Sequence, residues 1–147
     1  MHEQTKTCTK CGRVLPASSF YATNKNARCK ECFKLYVSEN RKRYWANQTL
    51  KSHRQKGFEI LITTDELVEI AEQTSTCKWC GRKLQWENGL GNTGLNPTLD
   101  RKNNEHHIGI ENVAIICHTC NTSKGRQSEK EFKQYIKRMY EVTILGD

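Results

Sequence analysis

Residues 99–125 read LDRKNNEHHIGIENVAIICHTCNTSKG, and this stretch decides the fold. Its apolar run at residues 113–116 predicts a short buried strand that leads directly into the pair Cys117 and Cys120. A second pair, Cys77 and Cys80, precedes this pair with a spacer of 36 residues. Two Cys-x-x-Cys pairs with this spacing predict one closed four-cysteine zinc site, because four thiolates complete the tetrahedral coordination of the ion.

The N-terminal part of the chain repeats this pattern. Cys8 and Cys11 are separated from Cys29 and Cys32 by 17 residues, and in both predicted sites a glycine follows the first pair at once. Glycine permits the tight turn that lets backbone amides point at the thiolate sulfurs. Unrelated buried cysteines would rarely produce four such pairs, so we expect two structural zinc ions.

The composition explains why such a chain needs metal. Of 147 residues only 35% are apolar, and small domains with so little apolar content often depend on a metal or disulfide staple. No secretory signal is visible near the N-terminus, and no apolar run is long enough to cross a membrane. We therefore expect a protein of the reducing cytoplasm, where cysteine binds metal instead of forming disulfides.

Positive charge is concentrated in the first part of the chain. Residues 1–57 hold 13 Lys/Arg against 3 Asp/Glu, a net charge of +10, whereas residues 58–147 hold 11 against 13, a net charge of −2. Such a basic segment favours a polyanion as partner. Residues 33–56 predict a basic helix ended by Gly57, which is also the expected boundary between domains 1–57 and 58–147. The residues of this helix that we expect to contact DNA are Arg41, Lys42, Arg43, Lys51 and Arg54. The alternative is that the helix presents a charged face to solvent without binding DNA.

Local signals place further elements in the second domain. Thr63 with Glu66 and Ser128 with Glu131 form capping-box patterns, each of which predicts the start of a helix. Residues 88–96 are rich in Gly and Asn and predict a loop. Together with the predicted strand, these elements indicate an α+β fold of small, zinc-stapled domains. The apolar stripe of the last helix is expected to be core: Phe132, Tyr135, Ile136, Met139 and Tyr140.

Two polar side chains in the deciding stretch suit a hard cation. Asp100 offers a carboxylate and Asn121 an amide oxygen, and such oxygens, with water and phosphate, are ligands for Mg²⁺ or a similar divalent ion. Phosphodiester cleavage needs such an ion to stabilise the leaving 3′-oxygen. An isolated Asp or Asn is more often a turn or cap residue, so the spacing of the whole set matters.

That set resembles the motif of the HNH endonucleases. Asp100, Asn112, Asn121 and Lys124 match it, and the bracketing cysteine pairs are typical of a subgroup frequent in phages and prophages. The resemblance covers residues 63–128 and implies a ββα-metal fold of two antiparallel strands and a helix. It also implies that Asp100 and Asn121 bind the catalytic metal, that Asn112 pins the loop between the strands, and that Lys124 lies near DNA phosphate.

The chain departs from this motif at the general base. Arg101 stands where a histidine normally follows the aspartate, and arginine stays protonated at any working pH. Arg101 could instead clamp the scissile phosphate. A metal-bound hydroxide, His106, His107 or His118 would then take the proton.

The N-terminal segment also resembles a known module. Residues 8–44 are similar to a zinc ribbon often found ahead of phage HNH domains, with Phe20 and Tyr21 as its hydrophobic plug. The whole sequence therefore predicts a zinc-stapled, metal-dependent endonuclease that nicks one strand or cuts both strands of double-stranded DNA, in the host cytoplasm if phage-encoded. The main alternative is a non-catalytic zinc-dependent DNA-binding regulator, and a third is an RNA-binding zinc protein. The sequence leaves open whether the protein is a monomer or a dimer.

Overall fold

Helices and short antiparallel strands build an α+β fold in the computed structural model, which describes residues 4–23, 27–87 and 92–146. Contacts within the chain divide it into two units, Met1–Arg41 and Lys42–Asp147. Every helix in these described ranges is too short or too polar to traverse a bilayer.

The first unit is a small ribbon around buried cysteines. Strand β1 (Thr5–Thr7) pairs in antiparallel fashion with β2 (Val14–Pro16), and helix α1 spans Lys30–Glu39. Phe20 is buried against Cys8 and Cys29, as expected of a plug, whereas Tyr21 is exposed. The apolar core of this unit is thus little more than one aromatic ring packed on the cysteine cluster.

The predicted basic helix is two helices. The helix is interrupted at Asn40, which follows α1 and whose backbone angles (φ −119°, ψ 38°) are not helical. The Asn40 side chain donates to the carbonyl oxygen of Tyr36 at 3.0 Å, which ends α1 with a local hydrogen bond. Helix α2 (Arg41–Gln55) follows and ends before Gly57, which has the positive φ of +84° that glycine tolerates best.

Helix α2 packs with the second unit. Ala46 and Leu50 are buried in the same core as Leu67. The indole nitrogen of Trp45 donates to the carbonyl oxygen of Pro97 at 3.1 Å. The structure therefore divides the chain near residue 41, not at the predicted boundary of Gly57, because the apolar side chains of α2 find their partners in the second unit.

The second unit holds the strands and helix that the HNH resemblance implies. Strands β3 (Pro97–Arg101) and β4 (Val113–Cys117) are antiparallel, with Asp100 opposite Ala114, and the predicted strand at residues 113–116 is confirmed as part of β4. Helix α4 (His118–Lys124) begins immediately after β4 and packs against both strands. Two further helices flank them, α3 (Thr64–Gln73) and α5 (Glu129–Thr143).

Both predicted capping boxes are confirmed. Thr63 Oγ1 accepts a hydrogen bond from the Glu66 backbone N–H at 3.2 Å, and the Glu66 carboxylate accepts one from the Thr63 N–H at 2.8 Å. Ser128 and Glu131 form the same reciprocal pair at the start of α5. The predicted loop lies partly outside the described residues, and residues 92–96 form neither helix nor strand.

The prediction that the α5 stripe is core is wrong for most of its length. Phe132 is buried and meets Trp79 edge-on, with 4.9 Å between ring centroids. The other four members, Tyr135, Ile136, Met139 and Tyr140, are 39–52% exposed. In the described chain the domain covers only the first turn of α5, and amphipathic spacing alone does not reveal where a helix loses its packing partner.

The eight cysteines converge in the two predicted groups. Cys8, Cys11, Cys29 and Cys32 form one cluster and Cys77, Cys80, Cys117 and Cys120 the other, with the sulfur atoms of each cluster within 4.8 Å of one another. No disulfide joins any of them. Four thiol sulfurs at this separation fit one tetrahedral zinc ion, so each cluster can hold a structural zinc.

The first Cys-x-x-Cys pair of each cluster has the same local structure. Gly12 and Gly81 follow these pairs with φ of +71° and +70°. The next residue is arginine in both cases: Arg13 Nε donates to Cys11 Sγ at 3.3 Å and Arg82 Nε to Cys80 Sγ at 3.5 Å. These arginines place positive charge beside the thiolates and partly offset the net negative charge of a four-thiolate zinc site.

The pKa values of two thiols show the effect of these hydrogen bonds. The backbone amides of Cys11 and Cys29 lower the pKa of Cys8 to about 6. Burial works against ionisation of Cys80, but hydrogen bonds from Arg82 outweigh it and lower the pKa of that thiol to about 6. Both local structures therefore favour the thiolate form that binds zinc.

Loss of one ligand should unfold the unit to which it belongs. We expect Cys117→Ser to reduce zinc from about two to about one per chain and to unfold the second unit, because metal binding in so small a domain is folding free energy. Cys8→Ser is the matched control, with the same loss of zinc but an intact second unit. All three tryptophans lie in that unit, so their fluorescence separates the two variants. Native emission from Cys117→Ser would contradict this prediction.

The helix caps should contribute measurably to stability. Thr63→Ala and Ser128→Ala each remove an N-cap side chain and should lower the free energy of unfolding by about 1 kcal/mol. Urea denaturation followed by tryptophan fluorescence measures the change. Ser75→Ala, at an exposed position outside the helices, serves as the control and should have a much smaller effect.

Candidate functional site

The candidate site lies where β3, β4 and α4 meet. Asp100 is on β3 and only 4% exposed, although strand residues on a two-stranded sheet usually have one solvated face. Helix α4 starts at the end of β4, since Cys117 ends that strand and also accepts a hydrogen bond from the Cys120 N–H as the helix N-cap. The second cysteine cluster thereby fixes the helix that covers Asp100.

A buried ion pair joins this helix to β3. The Lys124 ammonium is completely buried and donates to Asp100 Oδ1 and to the carbonyl oxygen of Arg101, both at 2.9 Å. A buried ammonium is stable only with such partners. The Lys124 side chain is therefore directed into the protein, toward Asp100.

The second oxygen of Asp100 has no hydrogen-bond partner. Oδ2 is buried and unpaired within the described chain, which is costly for a carboxylate oxygen. Burial raises the pKa of Asp100, and the hydrogen bond and charge of Lys124 oppose that effect. An unsatisfied buried carboxylate oxygen is the kind of group that a hard divalent cation would satisfy.

Asn121 lies on the same helix face as Lys124. The two residues are three apart in α4, so their side chains are neighbours on the helix surface. Since Lys124 reaches Asp100, this face of α4 is turned toward β3, and Asn121 is half-buried. The described residues contain no group of three or more His, Cys, Asp or Glu around Asp100 that could hold a metal. Any cation here would depend on this carboxylate and on amide, water or phosphate oxygens.

Asn112 holds the loop between the two strands. Its side-chain oxygen accepts from the Asn103 N–H, and its Nδ2 donates to the carbonyl oxygens of Asn103 and His107, each at 2.9 Å. Asn112 is itself buried. These three hydrogen bonds close residues 102–112 into a defined turn, which is the pinning role that the resemblance implies.

Arg101 is directed toward the same loop. Its Nη1 donates to the carbonyl oxygen of Asn104 at 2.7 Å, and its guanidinium lies 4.4 Å from the ring centroid of Phe58. This stacking and hydrogen bonding hold the side chain in one place. The guanidinium has five N–H donors in total, so donors remain for a phosphate oxygen.

The three histidines near the motif differ in their surroundings. His107 Nε2 lies 2.7 Å from Glu111 Oε1, and His106 and His118 are exposed. Backbone hydrogen bonding and the contact with His107 lower the pKa of Glu111, so that carboxylate is ionised beside the imidazole. His107 is therefore the histidine whose ring is fixed by a carboxylate.

Sequence reasoning missed the cations that surround Asp100. Burial lowers the pKa of Lys78, the nearby charge of Lys102 lowers it further, and Asp100 opposes both, so these side chains share one electrostatic environment. Lys78 also forms an ion pair with Glu129 and lies 5.0 Å from the Trp79 ring. Lys78 lies between Cys77 and Cys80, 22 residues before Asp100. Nothing in its local sequence indicates that its side chain shares the surroundings of Asp100.

The basic residues predicted to contact DNA fall into two groups. Lys42 pairs with Glu72 at 3.0 Å and Arg43 with Asp65 at 2.8 Å, both at the surface between α2 and α3. Lys51 and Arg54 are exposed toward the end of α2. Arg41 is half-buried at the start of that helix. Exposed ion pairs contribute little, so phosphate could replace the carboxylates that face Lys42 and Arg43.

The fold is similar to that of a solved endonuclease structure. No family model and no curated protein matches the sequence. A solved structure of the rare-cutting HNH restriction endonuclease PacI is similar, with 19% identity and a TM-score of 0.44. The similarity covers 86% of this chain and 87% of the PacI chain.

Proposed function

We propose that this protein is a metal-dependent endonuclease that hydrolyses phosphodiester bonds of double-stranded DNA. The observation that supports this best is the buried Asp100, which lies beneath the helix that carries Asn121. Its Oδ2 has no hydrogen-bond partner among the residues that the structure describes. A protein does not usually bury a carboxylate oxygen unpaired unless a ligand uses it. The ββα arrangement of β3, β4 and α4 gives that oxygen a defined position.

Asp100 and Asn121 would hold a divalent cation of the Mg²⁺ class. Asp100 would contribute Oδ2, and Asn121 its side-chain oxygen; these are the oxygen ligands that such ions prefer. A bound cation supplies positive charge that stabilises the leaving 3′-oxygen and the pentacoordinate phosphorus. The two cysteine clusters have a separate, structural role, because four thiolates leave no open position for a substrate.

The neighbouring side chains would orient the substrate. Asn112 holds the loop rigid, and Arg101 is fixed at the end of β3 by Asn104 and Phe58 with donors to spare. Arg101 would bind a non-bridging oxygen of the scissile phosphate, a contact for which its planar fork is suited. Lys124 has no part in that contact, because its ammonium is enclosed with Asp100.

Hydrolysis also needs a group that takes a proton from the attacking water. We assign this role to His107, which lies in the pinned loop and whose Nε2 faces the ionised Glu111. When Nε2 carries the ring hydrogen, Nδ1 is the nitrogen left to accept a proton. His106 and His118, which are exposed, are the alternatives that single substitutions would separate.

Positive charge outside the site would provide affinity for DNA. Residues 1–57 carry a net charge of +10. Among them, Lys51 and Arg54 are exposed on α2, which belongs to the second unit. These side chains would bind backbone phosphates without reading sequence. The basic residues of the zinc ribbon would also bind backbone phosphates.

Two observations favour a second candidate, a zinc-dependent DNA-binding regulator without catalysis. Lys124 already neutralises Asp100, and arginine stands where the motif has its histidine base. In that case the buried ion pair would be purely structural. Cleavage assays with ligand variants distinguish the two candidates.

We expect Asn121→Ala and Asp100→Asn to abolish cleavage of supercoiled plasmid in Mg²⁺ or Mn²⁺. Asn121→Ala removes an oxygen ligand, and Asp100→Asn removes the charge that attracts a hard cation while its amide oxygen can still accept from Lys124. Gel analysis of nicked and linear products measures the loss. Zinc content should stay native. Tryptophan fluorescence checks that each variant is folded, because Asp100→Asn weakens the buried pair with Lys124.

Thr122→Ala is the matched control, since Thr122 is exposed on the same helix as Asn121 and has no role in the site. It should cleave like the unsubstituted protein. Full activity in Asp100→Asn would refute the role of Asp100 as a metal ligand. No activity in any folded form of the protein would support the non-catalytic candidate.

The docking role of α2 predicts a change in salt dependence. Lys51→Gln combined with Arg54→Gln should reduce the slope of log affinity against log salt by about two, because each lost phosphate contact removes about one unit. These substitutions are preferable to removing residues 1–57, which would take Ala46 and Leu50 from the core. Lys137→Gln with Arg138→Gln on α5 removes the same charge as a control. Equal slopes for both double variants would refute the assignment to α2.

A further inference from the structure

The unusual feature of the site is the way Lys124 uses Asp100. A lysine with no exposed surface is rare, and here its ammonium bonds to one carboxylate oxygen and to the backbone of the next residue, Arg101. The pair links the last turn of α4 to β3. Lys124 therefore fixes both the rotation of the carboxylate and the distance between the helix and the strand.

The consequence is that the two oxygens of Asp100 are not equivalent. Oδ1 is held by Lys124 at 2.9 Å, whereas Oδ2 is buried without a partner in the described chain. A cation bound at Oδ2 would leave the hydrogen bond between Lys124 and Oδ1 intact. Binding both oxygens at once would require it to displace the ammonium or to crowd it.

Divalent cations differ in how they use a carboxylate. Ca²⁺ takes about six to eight oxygens and often binds a carboxylate through both, whereas Mg²⁺ takes about six in strict octahedral geometry and keeps several waters. One oxygen from Asp100 and one from Asn121, completed by water and phosphate, suit the second kind of ion. They are too few to form a good Ca²⁺ site.

We propose that Lys124 is a specificity-determining residue, which limits Asp100 to one oxygen for the metal and thereby favours Mg²⁺ or Mn²⁺ over Ca²⁺. This inference rests on the proposed function, since it assumes that Asp100 binds a divalent ion. It gives the buried lysine a role that neither phosphate binding nor simple charge balance explains.

The test compares two cations of equal charge. Mn²⁺ binding to the zinc-loaded full chain is measured by water-proton relaxation, and Ca²⁺ binding by displacement of Mn²⁺. Loss of the ammonium charge in Lys124→Met alters the electrostatic attraction of both ions alike, so this effect cancels in the ratio of their affinities. A change in the ratio therefore reports coordination geometry.

We expect Lys124→Met to shift the ratio toward Ca²⁺ by about tenfold, the lower end of the effect of changing a residue that orients a metal ligand. Lys124→Gln, whose amide can still donate to Oδ1, should retain most of the preference for Mn²⁺. Lys130→Met, which removes one exposed lysine charge at the start of α5, should leave the ratio unchanged. An unchanged ratio in Lys124→Met would overturn the proposal.

A measurement on the unsubstituted protein covers the case in which Lys124→Met fails to fold. Reductive methylation followed by peptide mass spectrometry reports whether the Lys124 amine stays buried. It should remain unmodified with and without Mn²⁺, and methylation that appears on adding Mn²⁺ would show that the metal displaces the lysine and overturn the proposal. Mn²⁺ binding that persists in Asp100→Asn would refute the metal site itself, and with it the proposed function.

Discussion

The four thiols of Cys77, Cys80, Cys117 and Cys120 are the constraint on which the second unit depends. Their sulfurs lie within 4.8 Å of one another although two of them are far apart in sequence from the other two. Cys117 ends β4, caps α4 and belongs to the cluster, so one residue fixes where the strand stops and where the helix starts. With so little apolar side-chain volume in the chain, no other interaction could define that junction as firmly.

The ion pair of Lys124 and Asp100 holds the C-terminal end of helix α4 against β3. The cluster holds the first turn of α4 and the ion pair its last residue, so both ends are attached to the sheet. Leaving one member of a buried pair alone costs about 3–5 kcal/mol, a large fraction of the stability of a small domain. The position of Asn121 between these two attachments is therefore set by strong interactions rather than by helix propensity.

Predictions from the sequence succeeded where the signal is local. The cysteine pairs, both capping boxes and the strand before Cys117 depend on residues a few positions apart, and the structure contains all of them. They failed where the outcome depends on distant partners. The spacing of the α5 stripe shows one apolar face, but it does not show that Phe132 is the only buried member among the described residues. No local pattern reveals that Lys124 turns inward to Asp100, 24 residues away. Gly57 is a clear local signal for the end of a helix, and for this reason the sequence predicts a domain boundary there. The contacts of α2 with the core of the second unit are not visible in the sequence of the helix.

Cys117 ends β4, caps α4 and belongs to the cysteine cluster, so the structure of the site depends on the oxidation state of this one thiol. The thiolate is the form that binds zinc, and an oxidant that converts it to a sulfenic acid or a disulfide removes that ligand. The same event takes away the acceptor of the Cys120 amide and so loosens the first turn of α4. Because this helix also carries Asn121, oxidation of Cys117 would displace a ligand of the proposed metal site, although no residue proposed to contact the substrate is itself oxidised.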